Sequence, residues 1–90
     1  MISATLFSSK GCRHCENFKR EWKKFADRNS WNTNEVDCSE DLVKCDEMKI
    51  RRVPTVLFTH SKIPEFKLEY VGERTARALH KTWDVLKRAF

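Results

Sequence analysis

The stretch Gly11-Cys12-Arg13-His14-Cys15 decides the fold. Two cysteines separated by two residues, with a strand-like run before them and an amphipathic helical run after, form a dithiol placed for redox chemistry. With Cys12 at the start of a helix, free backbone N–H groups and the helix dipole favour its thiolate. Lys10, Arg13 and His14 bring positive charge close by, which lowers a thiol pKa further. Cys15 follows one turn later on the same side, in position to resolve a mixed disulfide. Cys12 is therefore the expected attacking sulfur and Cys15 the resolving one.

Outward from this motif the chain reads as alternating elements. Residues 2–7 form a short buried strand, and Ser8-Ser9-Lys10-Gly11 a turn of small and polar residues. Cys15, Phe18, Trp22 and Phe25 recur at helical spacing, which predicts a helix to about Arg28 with Lys19, Arg20, Lys23 and Lys24 outside. Asn29-Ser30 breaks it, and residues 31–37 read more weakly as a second strand ending in Glu35-Val36-Asp37. A short helix is expected from Ser39, with Leu42, Cys45 and Met48 on one face. Pro54 stops further helix and holds Val53 extended, so Val56-Leu57-Phe58 is a strand. A loop is expected through Ser61 and Pro64. Phe66, Leu68 and Tyr70 then alternate with Lys67 and Glu69 as a half-exposed strand closed by Gly72. Ala76, Leu79, Trp83, Leu86 and Phe90 step along a terminal helix, and Trp22 and Trp83 fall on apolar faces expected in the core. The order is β-α-β-α-β-β-α.

Composition narrows the function classes. With 90 residues, 40% hydrophobic, three Trp and six Phe, the chain makes one small globular domain and is too apolar to be disordered. Four cysteines in a short chain also suit a disulfide-stapled secreted scaffold, but the helices and strands are easily read and Gly and Pro number only two each. The first residues run straight into the motif without a basic and apolar leader, so the expected location is the reducing cytoplasm. No run is long and apolar enough for a membrane span. A net charge of +5 raises nucleic acid as a partner. The basic residues are nevertheless mixed with Glu and Asp along the helical runs, which reads as a solvated surface biased toward acidic partners. A monomer is expected.

The order of elements, with the dithiol after the first strand, resembles the thioredoxin fold reduced to its minimal core. This implies an α/β domain over residues 1–90 with a central four-stranded mixed sheet. The resemblance rests on Phe7 ahead of Cys12, the Cys12-Arg13-His14-Cys15 quartet, Phe18 and Trp22 on the next helix, and Val53-Pro54-Thr55. Tyr70-Val71-Gly72-Glu73-Arg74-Thr75, and Val36-Asp37-Cys38 followed by Cys45 and Pro54, are similar to protein disulfide isomerase domains. Glutaredoxins are similar in size, but the tail lacks their paired glycines for glutathione. The resemblance implies a cis Pro54 beside the dithiol, with the Val53 backbone free to pair with an extended substrate. Gly11 joins Val53 and Pro54 as an expected substrate-binding residue, although the family usually has Trp there. Leu6 stands where a buried carboxylate commonly assists proton transfer, and Arg20 where a helix proline is usual.

Several features have more than one reading. Cys12 and Cys15 as half of a zinc site are disfavoured, because Cys38 and Cys45 do not form a second close pair. Cys38 and Cys45 make a regulatory disulfide, a second redox pair, a static staple or two buried thiols. His14 is either a solvent-facing spectator or an imidazolium that favours the thiolate, and by the resemblance makes the couple more oxidising than in thioredoxin. Arg51 and Arg52 flank the expected substrate groove. The expected function is thiol–disulfide exchange with disulfide-containing protein substrates, as a thioredoxin-like reductant or a disulfide isomerase-like enzyme. A thiol reductase or glutathione recycles it, and no metal or organic cofactor is required, since the electrons reside on sulfur. The alternative from another class is a thioredoxin-fold adaptor with a vestigial dithiol.

Overall fold

The computed structural model describes residues 1–29 and 32–90, so Ser30 and Trp31, read above into the helix break and second strand, lie outside the described residues. The elements are β1 (Ile2–Ser8), α1 (Arg13–Arg28), β2 (Thr33–Asp37), α2 (Leu42–Glu47), β3 (Thr55–His60), β4 (Ile63–Glu69) and α3 (Ala76–Ala89). They follow the order read from the sequence and build one mixed sheet, β2-β1-β3-β4. β1 and β2 run parallel, which requires a crossover, and α1 supplies it. β3 is antiparallel to both β1 and β4.

Strand alternation sorts the side chains between two faces. Ile2, Ala4 and Leu6 of β1 and Val56 and Phe58 of β3 pack with Phe18, Trp22 and Phe25 of α1 and Leu79, Trp83 and Leu86 of α3. Phe25 is fully buried among the rings of Trp22, His80 and Trp83. Phe7 and Leu57 point the other way and pack with Cys45 of α2. The sheet is thus covered by α1 and α3 on one face and by α2 on the other. Among the described residues, no helix is long and apolar enough to cross a membrane.

Three local expectations are corrected. The second helix starts at Leu42, capped by the Asp41 carboxylate on the Lys44 N–H, while residues 38–40 form a turn. As the first helical residue, Leu42 leans away from the sheet and is 72% exposed, so Cys45 and the half-buried Met48 alone turn inward. The loop expected through Pro64 is shorter, because His60 pairs with Ile63 and leaves only Ser61 and Lys62 between the strands. Pro64 falls inside β4, where its missing N–H is tolerated because β4 is an edge strand. Leu68 and Phe90, read as strand-face and stripe residues, are exposed. The Phe90 ring instead lies against His60 and Phe66 at the end of the sheet.

Candidate active site

β1 and α1 meet at the motif. The turn between them passes through Gly11 at φ +75, a left-handed conformation that glycine adopts without steric cost. Cys12 follows as the N-cap of α1, with φ −93 and ψ 109. Its sulfur takes the place of the usual capping oxygen and accepts the Cys15 backbone N–H at 3.1 Å. Cys12 and Cys15 form a disulfide with their Cα atoms 5.2 Å apart. Cys12 stays partly exposed, whereas Cys15 is 2% exposed, turned inward with Phe18, Trp22 and Phe25 along the buried side of α1.

The loop before β3 forms the other wall. The Val53–Pro54 bond is cis, Pro54 is buried, and the Val53 carbonyl oxygen lies 3.9 Å from the Cys12 sulfur. Thr55 ties the loop down by donating its hydroxyl to the Arg52 carbonyl at 2.7 Å. The sequence separates these residues widely, and the antiparallel pairing of β1 with β3 brings Cys12 and Val53 together.

The charges around the sulfurs differ in their partners. Lys10 is engaged by Glu40 in an exposed ion pair. Arg13 and His14 are exposed, and among the described residues neither side chain makes a hydrogen bond or an ion pair. Leu6, standing where the resemblance puts a carboxylate, is 1% exposed within the apolar core.

Cys38 and Cys45 form a second disulfide, Cα atoms 5.7 Å apart, joining the end of β2 to α2. Cys45 is 5% exposed, and the pair packs with Phe7, Leu57 and Val53, so it braces the loop that carries Pro54. Asp37 holds the turn before α2 by accepting from the Ser39 N–H and hydroxyl, and these bonds keep its pKa low.

Two features of the surroundings escaped the sequence reading. Glu21, a half-buried residue of α1, accepts the Ala76 backbone N–H at 2.9 Å and so caps α3 from a distant part of the chain. Arg74, in the connection after β4, lines a cleft with Arg52 and Pro54. Glu21 stands three residues after Phe18 and four before Phe25, so its place beside the buried stripe was a signal in the sequence, whereas Arg74 belongs to no periodic pattern and only tertiary placement reveals it.

The chain belongs to the thioredoxin family, whose model, described as Thioredoxin, matches residues 4–84. Among solved structures it is similar to the J-Trx1 fragment of ERdj5, at 22% identity and TM-score 0.87, over 97% of this chain and 43% of that one. The Trx4 domain of ERdj5 is similar at 18% identity and TM-score 0.83, over 100% of this chain and 82% of that one. Human ERp44 is similar at 17% identity and TM-score 0.80, over 92% of this chain and 24% of that one. The chain therefore spans less than half the length of two of these structures. Comparison with curated protein sequences finds no match. The thioredoxin family match and a disulfide at Cys-x-x-Cys spacing are consistent with the chemistry of thiol–disulfide exchange.

Proposed function

We propose that the chain is a thiol–disulfide oxidoreductase that acts on disulfide-containing proteins. The observation that carries this reading is the asymmetry of the two sulfurs: Cys12 is accessible at the N-terminus of α1, and Cys15 is buried beneath it. In the reduced protein the Cys12 thiolate, stabilised by the Cys15 N–H and the helix terminus, attacks one sulfur of a substrate disulfide. A bond forms between Cys12 and that sulfur, the substrate disulfide breaks, and the other substrate sulfur leaves as a thiolate. Cys15 then loses its proton and attacks Cys12, the mixed disulfide breaks, and the second substrate thiolate departs. Two electrons have passed to the substrate, and Cys12–Cys15 is oxidised.

With Leu6 at the usual carboxylate position, the Cys15 proton leaves through water or through the substrate's own thiolate. The exposed Arg13 and His14 favour the thiolate and thus ease reduction of the disulfide. In this reading the protein works as a monomer, needs no cofactor beyond its sulfurs, and is recycled by a thiol reductase or glutathione.

The test is equilibration of the Cys12–Cys15 couple with glutathione buffers. A potential near about −270 mV fits a thioredoxin-like reductant of a reducing compartment such as the cytoplasm. One near about −180 mV fits an oxidant or isomerase of an oxidising compartment. If the couple does not exchange reversibly, the enzyme reading falls and the domain is an adaptor with a vestigial dithiol.

A further inference from the structure

We propose that the substrate segment attacked by Cys12 is acidic where it crosses Pro54, and that Arg52 and Arg74 receive its carboxylates. The inference rests on the exchange reaction above and adds its substrate class. Because the Cys12 sulfur lies 3.9 Å from the Val53 carbonyl, the Val53-Pro54 segment borders the position of an incoming substrate sulfur, and an extended chain can run along it. Beside Pro54 opens a cleft of about 190 Å³ whose charged side chains are Arg52, Arg74 and Glu69, two guanidinium groups against one carboxylate.

Neither guanidinium is engaged. Among the described residues the ion pairs are Lys10–Glu40 and Lys24–Glu21, and no side-chain hydrogen bond reaches Arg52 or Arg74. Glu73, adjacent to Arg74 in sequence, lines a separate hollow with Arg77 and Lys81. The Glu73 carbonyl accepts the Tyr70 hydroxyl at 2.6 Å, which holds the connection carrying Arg74 against the end of β4. On the other flank of Val53 a second cleft carries Arg51 and Arg52 against Asp46. Together the two clefts that flank Val53 and Pro54 hold three arginines, Arg51, Arg52 and Arg74, against two carboxylates, Asp46 and Glu69.

Guanidinium forks bind carboxylates in two-point contacts, so an acidic segment fits this face in geometry as well as in sign. Exposed pairs are individually weak, and the effect belongs mainly to encounter and orientation, summing to about tenfold in rate.

The experiment uses the full reduced chain and three peptides, each bearing one cysteine as a mixed disulfide with thionitrobenzoate and flanked by Asp, Ser or Lys. Cys12 attacks the peptide sulfur, the bond to thionitrobenzoate breaks, and the coloured thiolate is released. The expected order is Asp, then Ser, then Lys, with about a tenfold spread at low salt that shrinks as salt rises. The Asp-to-Lys rate ratio falls to about two or less in Arg52→Gln/Arg74→Gln and is kept in Lys23→Gln/Lys87→Gln, which removes the same net charge elsewhere. Equal rates for the three peptides, or the same loss of discrimination in both variants, overturn the proposal and leave the exchange reading standing. Absence of thionitrobenzoate release from every peptide overturns the exchange reading itself.

Discussion

The backbone N–H of Cys15 points at the sulfur of Cys12 from 3.1 Å, so a donor already stands where the Cys12 thiolate forms when the disulfide is reduced. A sulfur that accepts a backbone N–H at a helix N-terminus favours the thiolate. The Cys12 thiol of the reduced protein should therefore titrate below the ordinary cysteine value of about 8.5. Iodoacetamide alkylation followed across pH and mapped by peptide mass checks this. Modification at Cys12 should reach half its maximal rate below that value, while the buried Cys15 is labelled far more slowly. Equal labelling of both sulfurs would remove the division of labour between them.

Replacing Cys38 and Cys45 together by alanine should destabilise the domain by about 2–3 kcal/mol, the loop-closure entropy of so short a ring. Lost packing adds to this, because Cys45 is buried against Phe7 and Leu57. Urea titration of the oxidised wild type and the double variant measures the difference. A change below about 0.5 kcal/mol would mean that apolar contacts alone hold α2 to the sheet.

Much of this architecture was legible because it repeats. Phe18, Trp22 and Phe25 on α1, and Leu79, Trp83 and Leu86 on α3, announce buried stripes at helical spacing, and all six are buried. The quartet Cys12 to Cys15 announced the site through spacing and the turn before it. Short elements carried less signal. α2 offers barely two turns, so the true cap, Asp41, competed with Ser39, and Leu42 was read into a face that it does not share. The β3–β4 hairpin was misread because proline usually breaks a strand, and only its edge position shows why Pro64 is harmless. Glu21 and Arg74 act across the fold: the spacing of Glu21 from Phe18 and Phe25 puts it beside the buried stripe, but its partner Ala76 and the cleft of Arg74 come only from tertiary placement.

The end of α2 contains a residue in an unfavourable conformation. Ile50 N–H bonds to the Cys45 carbonyl at 2.9 Å and Lys49 N–H to the Asp46 carbonyl at 3.0 Å, the paired closure of a helix whose next residue turns left-handed. That residue is Lys49 at φ 58, where glycine is the usual occupant. Since the Lys49 side chain is exposed, Lys49→Gly should stabilise the protein by up to about 1 kcal/mol. Lys49→Val should destabilise it, because a β-branched side chain fits this conformation worse. Thermal melts of the two variants should move in opposite directions from the wild type, and a fall for the glycine variant would sink the argument.

Stability should decline as pH falls from about 7.5 to about 5.5, and His80 should carry part of the decline. Its Nε2 is buried without a hydrogen-bond partner among the described residues, and its ring packs on Phe25 at 4.9 Å. Burial above all, then Arg28, holds its pKa below the usual 6.5, with Asp84 pulling weakly the other way. The unfolded chain takes up this proton near the usual value, and the folded chain takes it up only at lower pH. The folded state thus binds fewer protons in between, so the contribution is complete above the usual value and is lost as pH falls below it. His60 acts in the same direction through burial, the N-terminal ammonium and Lys62. Glu21 and Asp37 respond lower, because hydrogen bonds from Ala76 and Ser39 hold their pKa values below the usual 4.5 and 3.8. Melting temperature measured across pH should therefore drop less steeply in His80→Phe than in the wild type as pH falls from about 7 to about 5.5. Identical slopes above about pH 5.5 would show that the folded protein takes up the His80 proton as readily as the unfolded chain, and that this site does not set the acid side of its stability.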